Sequence, residues 1–316
     1  MNNHIPTISR ATAEHTKQSY AIFKNSHWSV LKASGPTLRE YLQGQITQDM
    51  DKLDTRQAIH SALLSPQGKA VSEIYILSGH DNELILLTPK SHAVKTVARL
   101  RQFALGQQLR IGIVESLVVA AIHGTQATNG LNAAGLAVPD QAWLSQSSQA
   151  SEDCFAIRIR PDAYWLISNQ TTIDLLSLNQ HQGTEDELEA LRIQHGFPRF
   201  GMEWDERLHP LNANLIELDG VDFKKGCYVG QEVTSRMHWR GGIKKKLYRV
   251  RMNNCPVTLP CSVRSSANIG ELKSAATDDN GLCFGIALLP IDVAESDSKL
   301  TLDNDINITI LEACHA

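Results

Sequence analysis

Cys227 stands in the string Phe223-Lys224-Lys225-Gly226-Cys227-Tyr228-Val229-Gly230-Gln231-Glu232, with a glycine on each side of the Cys-Tyr pair, two lysines before it and a glutamate after. A thiol is a nucleophile or metal ligand only as thiolate, and an ordinary pKa of about 8.5 leaves little of that form at neutral pH unless positive charge lies close by. Lys224 and Lys225 carry such charge. Glycines permit positive φ and a close approach of backbone to a ligand, and exposed backbone N–H groups hold carboxylates or phosphates. A cysteine between glycines also serves as a small buried hydrophobe in a tight turn. Exposure separates the two readings, because reactive cysteines occupy electropositive, accessible positions.

From Lys224 to Lys246 there are seven basic residues, Lys224, Lys225, Arg236, Arg240, Lys244, Lys245 and Lys246, against the one acid Glu232, a net charge of +6. The whole chain carries -4, so the remainder carries -10. Such asymmetry points to an anionic partner on one face of an otherwise acidic protein, although a run such as Lys244-Lys245-Lys246 also reads as a solvated surface.

The string around Cys227, followed by Arg236 and Arg240-Gly241, resembles the signature of the YgfZ family, folate-binding proteins related to the glycine-cleavage aminomethyltransferase (T-protein) and linked to iron–sulfur cluster assembly or repair and to tRNA modification. Tyr41-Leu42-Gln43-Gly44-Gln45-Ile46-Thr47-Gln48-Asp49 resembles the family's N-terminal element, and Ser65-Pro66-Gln67-Gly68-Lys69 the turn after it. Leu191-Arg192-Ile193-Gln194-His195-Gly196-Phe197-Pro198 and Pro210-Leu211-Asn212-Ala213-Asn214-Leu215 are similar to two further family segments. The fold implied is α+β, with T-protein-like antiparallel sheets and helices and a small C-terminal β-barrel. The division expected is a discontinuous α+β folate-binding core over 1–45 and 115–240, an inserted meander-plus-helix domain over 46–114, and the barrel over 242–316.

The resemblance also implies a ligand, tetrahydrofolate or a derivative. A reduced folate has a flat pterin with amide-like edges and a tail bearing carboxylates, so its pocket needs paired donors and acceptors, apolar walls and cations. The residues carried over for polar contacts are Gln43, Gln45, Thr47 and Asp49, and for the tail Arg236 and Arg240. Arg192 is a further cation, which its apolar helical surroundings would equally suit to an ion pair. Tyr228 would stack on the ligand or pack beside the turn. Gln231 and Glu232 would line the site or orient amides of their own loop. Cys227 is expected to be the functional thiol, a transient ligand or redox group for cluster chemistry, with no stable metal bound. The partners implied are folate and iron–sulfur client or assembly proteins such as radical tRNA-modifying enzymes.

Two other functions fit the sequence. One is a tetrahydrofolate-dependent aminomethyl or one-carbon transferase; against it, Gln194-His195 stand where the family usually has Glu-Ala, and no counterpart of the T-protein aspartate beside the folate amine is found. The other is direct RNA binding through residues 224–246. The acidic whole, the few aromatics near the basic segment and the lack of an RNA-binding motif argue instead for an effect on tRNA through modifying enzymes, with no direct contact to nucleic acid.

The elements that must position these residues follow from periodicity. Strands are predicted over 27–33, 58–64, 70–77, 83–88, 109–114 and 117–122, with Ser65-Pro66-Gln67-Gly68-Lys69 as a hairpin turn and a second turn over 80–82. A helix opens at Gly35-Pro36-Thr37 and ends near Gly44. The apolar spacing predicts a second helix over 90–105, and a short one is expected over 126–136. A Ser/Gln-rich loop over 144–151 precedes a hairpin of 155–159 and 164–167 and helices over 172–178 and 185–194. The segment 196–214 is long and aperiodic, which suits either a functional loop or a connection whose charges pair with one another. Beyond Gly241-Gly242, short apolar runs separated by turns over 247–252, 256–263, 269–272, 282–288 and 300–311 predict the barrel.

At 316 residues, 42% hydrophobic and 20% charged, the chain has the composition of a globular protein with more than one core. Residues 1–10 hold no apolar h-region, and no apolar run approaches the roughly 20 residues of a membrane span, so a cytoplasmic location and no membrane partner are expected. The cysteines Cys154, Cys227, Cys255, Cys261, Cys283 and Cys314 form no CxxC motif, which argues against a zinc module or a self-contained cluster ligand set. Cys255 and Cys261 are the only close pair, and their spacing alone offers a metal or redox couple there.

Overall fold

The computed structural model describes residues 4–56, 58–81, 83–104, 106–136, 138, 145–146, 154–265, 268–296, 298–302 and 305–315. The chain forms two compact units: residues 1–13, 186–218 and 232–316 in one, and 14–185 and 219–231 in the other.

The second unit holds two sheets. In the first, five antiparallel strands lie in the order Ala58–Leu64, Ala70–Ser78, Leu84–Pro89, Trp28–Ser34 and Arg110–Ile113. The strand Ala58–Leu64 is buried along its whole length. Both of its faces are covered, so its sequence reads as a continuous run without alternation. The turn to the next strand is closed by the Ser65 amide on the Lys69 carbonyl at 2.8 Å and the Gly68 amide on the Ser65 carbonyl at 2.9 Å. Gly68 takes a φ of +72° there, and the strand register shifts between Leu63 and Leu64. The helices Leu38–Gln43 and Ala93–Phe103 supply Leu38, Tyr41, Leu42, Val97 and Leu100 to the apolar core beneath this sheet. The second helix is preceded by a 3₁₀ turn over Lys90–His92, so the expected single helix divides at its first turn.

The other sheet of this unit has the order His181–Gly183, Ala21–Lys24, Val118–His123, Ala163–Ser168, Phe155–Arg160 and Ser145–Gln146. All its pairings are antiparallel except that of Ala21–Lys24 with His181–Gly183. Helices Ala127–Ala133 and Gln170–Ser177 give Ala127, Leu131 and Ile173 to its core. The Ser/Gln-rich loop expected over 144–151 lies outside the described residues, apart from the two-residue strand at 145–146; Asn82 of the second turn also lies outside them.

The first unit is built on a closed barrel with the strand order Lys245–Met252, Cys283–Pro290, Asn268–Thr277, Cys261–Arg264, Leu300–Thr301 and Asn307–Ala313. Val250, Val263, Leu272, Ala287 and Leu289 fill its interior. Closure leaves no free sheet edge. The helices Glu185–Gln194, Gln231–Trp239 and Ile291–Ala294, the 3₁₀ helix Pro210–Ala213 and the N-terminal helix Arg10–Gln18 also contribute to the unit. The run expected over 300–311 is two strands separated by residues 302–306.

The cysteine pairing differs from the spacing argument. Cys255 is disulfide-bonded to Cys283, 28 residues away, and Cys261 is free. The barrel register explains this: Cys283 lies opposite Met252 and Thr277, which brings it to the chain leaving the strand Lys245–Met252, whereas Cys261 lies opposite Leu272.

Candidate functional site

The segment from Asp219 to Gln231 is laid against the loop that follows the helix Leu38–Gln43, within one compact unit. Lys225 is the centre of that contact. Its side chain is 7% exposed, and its ammonium donates to the carbonyls of Gln43 at 2.7 Å, Ile46 at 2.8 Å and Gln48 at 2.8 Å. Burial lowers this ammonium to about 8, with Asp49, Asp222 and Asp51 pulling it back up, so it is charged at neutral pH. A charged donor with three carbonyl partners is the arrangement in which a buried lysine is satisfied. Further bonds fasten the same two segments. The Asp222 amide donates to the Thr47 carbonyl at 3.0 Å and the Val229 amide to the Gly44 carbonyl at 3.1 Å. The Thr47 hydroxyl donates to the Gly220 carbonyl at 2.6 Å, and the Gln48 amide group donates to the Asp219 carbonyl at 2.5 Å.

The turn before Lys225 is fixed by charge. Lys52 lies 3.3 Å from both Asp219 and Asp222, and Arg56 pairs with Asp219. Burial works against ionisation of Asp222, but the Lys224 amide and Lys52 more than offset it and hold the carboxyl below its ordinary range. After Cys227, Gly230 has a φ of +85°, and a Cβ there would meet the Ser65 carbonyl oxygen at 2.7 Å and the Leu64 Cβ at 2.9 Å. Only glycine fits this approach.

Between these two anchors the chain turns outward. Gly226 and Cys227 are exposed, and Cys227 is a free thiol. Cys154, the other free cysteine of this unit, is buried. The result is one accessible thiol displayed by a loop whose ends are pinned. From the sequence, both lysines are expected to lend charge to the thiol; in the structure Lys225 turns inward to three carbonyls and Lys224 is exposed.

The residues carried over as ligand contacts fall into distinct settings. The Gln43 side chain donates to Asp49 Oδ1 and accepts from the Met50 amide, both at 2.9 Å. Thr47 is fully buried, its hydroxyl engaged with Ser61, the Gly220 carbonyl and the Ala62 amide. Asp49 accepts from Gln43 and from the Asp51 amide, capping the 3₁₀ turn Met50–Lys52. Gln45 accepts from Arg99 at 3.0 Å and lines a cavity of about 630 Å³ together with Tyr41, Phe103 and Gln108. Arg99 lies over the Phe103 ring at 3.6 Å. Tyr228 is buried, its ring 5.1 Å from the Lys225 ammonium.

Arg192, Glu232, Arg236 and Arg240 belong to the barrel-containing unit. Arg192 is 8% exposed and donates to Glu189, Glu203 and the Phe197 carbonyl. Burial alone would lower its guanidinium; the two carboxylates outweigh that and raise it. This is the ion-pair setting that its helical position suggested. Arg199 adds a bond to Glu189 at 2.8 Å, and its amide donates to Glu203 at 2.9 Å; within the long 196–214 segment Arg207 pairs with Asp205 at 2.5 Å, so its charges pair both with one another and with the preceding helix. On the helix Gln231–Trp239, Gln231 begins the first turn, and Arg236 donates to Glu232 one turn earlier at 2.8 Å, both side chains well exposed. Arg240 follows the helix, exposed.

Sequence reasoning missed two features of the thiol-bearing unit. Gln48 bonds Asp219, and its position inside the polar string Gln45–Asp49 was the available signal. His60 and Glu73 form a fully buried pair at 2.9 Å, and the Tyr75 hydroxyl donates to the same Glu73 oxygen at 3.3 Å. Trp28, Tyr75 and Trp165 pack edge to face or tilted around that pair, their centroids 5.0 to 5.3 Å apart. The signal there was an ionisable residue within each of two otherwise apolar strands. Among the described residues no cluster of three or more His, Cys, Asp or Glu could hold a metal ion, and no helix is long and apolar enough to cross a membrane.

No family model matches the chain. Its solved structural relatives include the glycine cleavage system aminomethyltransferase T of Bartonella henselae, with a TM-score of 0.83 at 16% identity over 99% of this chain and 90% of that one. The fold is therefore the aminomethyltransferase fold, antiparallel sheets with helices and a closed six-stranded barrel, as expected from the sequence. Among curated proteins, the tRNA-modifying protein YgfZ of Hamiltonella defensa is 30% identical over 246 residues, 75% of this chain and 72% of that protein. The protein of the same name from Yersinia enterocolitica is 24% identical over 315 residues, 96% of this chain and 94% of its own. With 30% identity to the Hamiltonella defensa protein over 75% of this chain and 72% of that one, the chain belongs to the YgfZ family.

Proposed function

We propose that this chain is a folate-binding protein that supports tRNA modification by assembling, repairing or maintaining iron–sulfur enzymes, and that Cys227 is the thiol it offers to the client. The relatives are named for tRNA modification, and the family resemblance implies folate and cluster chemistry. The observation that carries the reading is the display of Cys227, an exposed free thiol between the inward-turned Lys225 and the tightly packed Gly230. A merely structural cysteine in a glycine turn would be buried. An exposed thiol held on a rigid loop suits brief ligation of iron on a partner protein, since the geometry is set before the partner arrives.

The donor set fits a folate in part of its length. Gln45 combines an amide N–H₂ beyond its Arg99 bond with a cavity walled by Tyr41 and Phe103, the polar edge and aromatic wall a pterin requires. Gln43, Thr47 and Asp49 brace the loop that carries Gln45. For the tail carboxylates the family resemblance implies Arg236 and Arg240, which belong to the barrel-containing unit. When bound, the folate would supply one-carbon chemistry or act as a signal of one-carbon status; the chain's own residues bind and orient it.

The functional claim is tested in cells lacking their own copy. Wild type restores the nucleosides made by iron–sulfur tRNA-modifying enzymes, measured by mass spectrometry of bulk tRNA, and Cys227→Ala, expressed to the same level, does not. Full restoration by Cys227→Ala would show that the thiol is idle.

A further inference from the structure

We propose that the surface from Trp239 to Lys245 docks single-stranded RNA, with the Trp239 indole stacked on an unpaired base and the Lys244 and Lys245 ammoniums on neighbouring phosphates. On sequence alone, the acidic whole, the few aromatics near the basic run and the lack of an RNA-binding motif argue against direct RNA contact. The structure adds what was wanting: Trp239 is 72% exposed at the end of its helix, its ring edge-on to His238. An exposed indole beside cations has the composition of a base-stacking platform.

The backbone holds the three groups near one another. Gly241 ends the helix with a φ of +66°, and the Gly242 amide returns to the Met237 carbonyl at 2.9 Å. Lys244 is two residues further on, so its Cα lies within about 7 Å of that of Gly242. The Lys244 carbonyl accepts from the Ile291 amide at 3.0 Å, and Lys245 stands opposite Pro290 in the barrel, so both lysines project from a fixed strand end. Both are exposed and, among the described residues, have no ion-pair partner, whereas the next lysine, Lys246, is paired with Glu217. Unpaired cations in a chain of net charge -4 favour a polyanion locally against the charge of the whole.

An acidic protein would satisfy the lysines and leave the indole without purpose. Duplex RNA would satisfy the lysines and keep its bases stacked inside. Single-stranded RNA, or a loop of a folded RNA, offers phosphates and free base faces together. None of Trp239, Lys244 and Lys245 is among the residues assigned to folate, and Arg240, which is, stays out of the variants.

The test uses the full-length protein and fluorescence anisotropy of a short labelled single-stranded RNA, its duplex form and an oligoglutamate peptide, across a salt series. The expected affinity for the single strand falls with salt at a logarithmic slope of about -1.4, and Lys244→Gln or Lys245→Gln each flattens it by about 0.7. Trp239→Ala weakens binding roughly tenfold and leaves the slope unchanged. The duplex binds more weakly than the single strand. No salt-dependent binding by wild type, unchanged binding by Trp239→Ala, or oligoglutamate binding as tight as RNA would each overturn the proposal, the last in favour of an acidic protein partner. Tetrahydrofolate titrations of the same proteins keep the two proposals apart: wild type that binds folate but not RNA sinks only this one, and wild type that binds RNA but not folate sinks only the folate reading.

Discussion

Replacing Lys225 with methionine tests whether the thiol loop is held as the structure indicates. The side chain makes three hydrogen bonds from a charged donor to carbonyls, each worth about 1.5 to 3 kcal/mol. Against them stands the desolvation of the ammonium. The lowering from 10.5 to about 8 puts that on the order of 3 kcal/mol. The balance is a net loss of about 3 kcal/mol at pH 7 for Lys225→Met, most of it from leaving the carbonyls of Gln43, Ile46 and Gln48 without this donor. The same shift sets a pH dependence. Between pH 8 and 10.5 the unfolded chain binds more protons than the folded one, so the contribution of Lys225 to stability rises with pH through that window, by on the order of 3 kcal/mol. Urea unfolding of wild type and variant at pH 7 and at steps up to pH 10 reads both quantities, and the difference between the two proteins cancels every other titration. The loss at pH 7 should exceed 2 kcal/mol or so and grow with pH. A loss under about 1 kcal/mol, or a gain, would refute the three-carbonyl anchor.

Gly230→Ala puts a Cβ 2.7 Å from the Ser65 carbonyl oxygen at a φ of +85°, and should cost about 2 to 4 kcal/mol in the same assay; a loss within error would mean that the loop does not approach the 65–69 turn so closely. In the barrel-containing unit, Asn214 donates to the carbonyls of Leu247 at 2.9 Å and Cys314 at 2.8 Å and accepts from the Leu247 amide. Asn214→Asp aims a carboxylate at those two oxygens and should destabilise the unit by about 3 to 5 kcal/mol. Thermal unfolding followed by circular dichroism checks this, and an unchanged midpoint would contradict it.

The strands of the five-stranded sheet were legible because turn chemistry and apolar runs agree: Ser65-Pro66-Gln67-Gly68 can be read as a turn, and Ala58–Leu64 and Ala70–Ser78 fall on either side of it. The barrel was legible as a texture of short runs between turns. The helix Arg10–Gln18 was not, because only Thr12 and Ala13 are buried and Thr12 is held by a hydrogen bond to Glu187 rather than by an apolar stripe. The helix Gln231–Trp239 buries only Thr234, so it shows no 3.6-residue period. In the candidate site, sequence located the string and the thiol but could not tell which way each charge points. Lys224 and Lys225 are neighbours of one type, and tertiary hydrogen bonding alone sends one outward and the other to three carbonyls. Likewise the partner of Cys255 depends on strand register across 28 residues, which spacing along the chain does not encode.

The central claim is tested most directly by calorimetric titration of the purified protein with tetrahydrofolate, run on wild type, Gln45→Leu, Arg240→Ala and Cys227→Ala. The account predicts that wild type binds, that Gln45→Leu and Arg240→Ala each weaken binding roughly tenfold through a lost polar or charge-assisted contact, and that Cys227→Ala binds as wild type does, because the thiol faces a client. Absence of binding by the folded wild type would contradict the folate reading outright, and loss of binding in Cys227→Ala alone would place the thiol on the ligand and overturn its separate role.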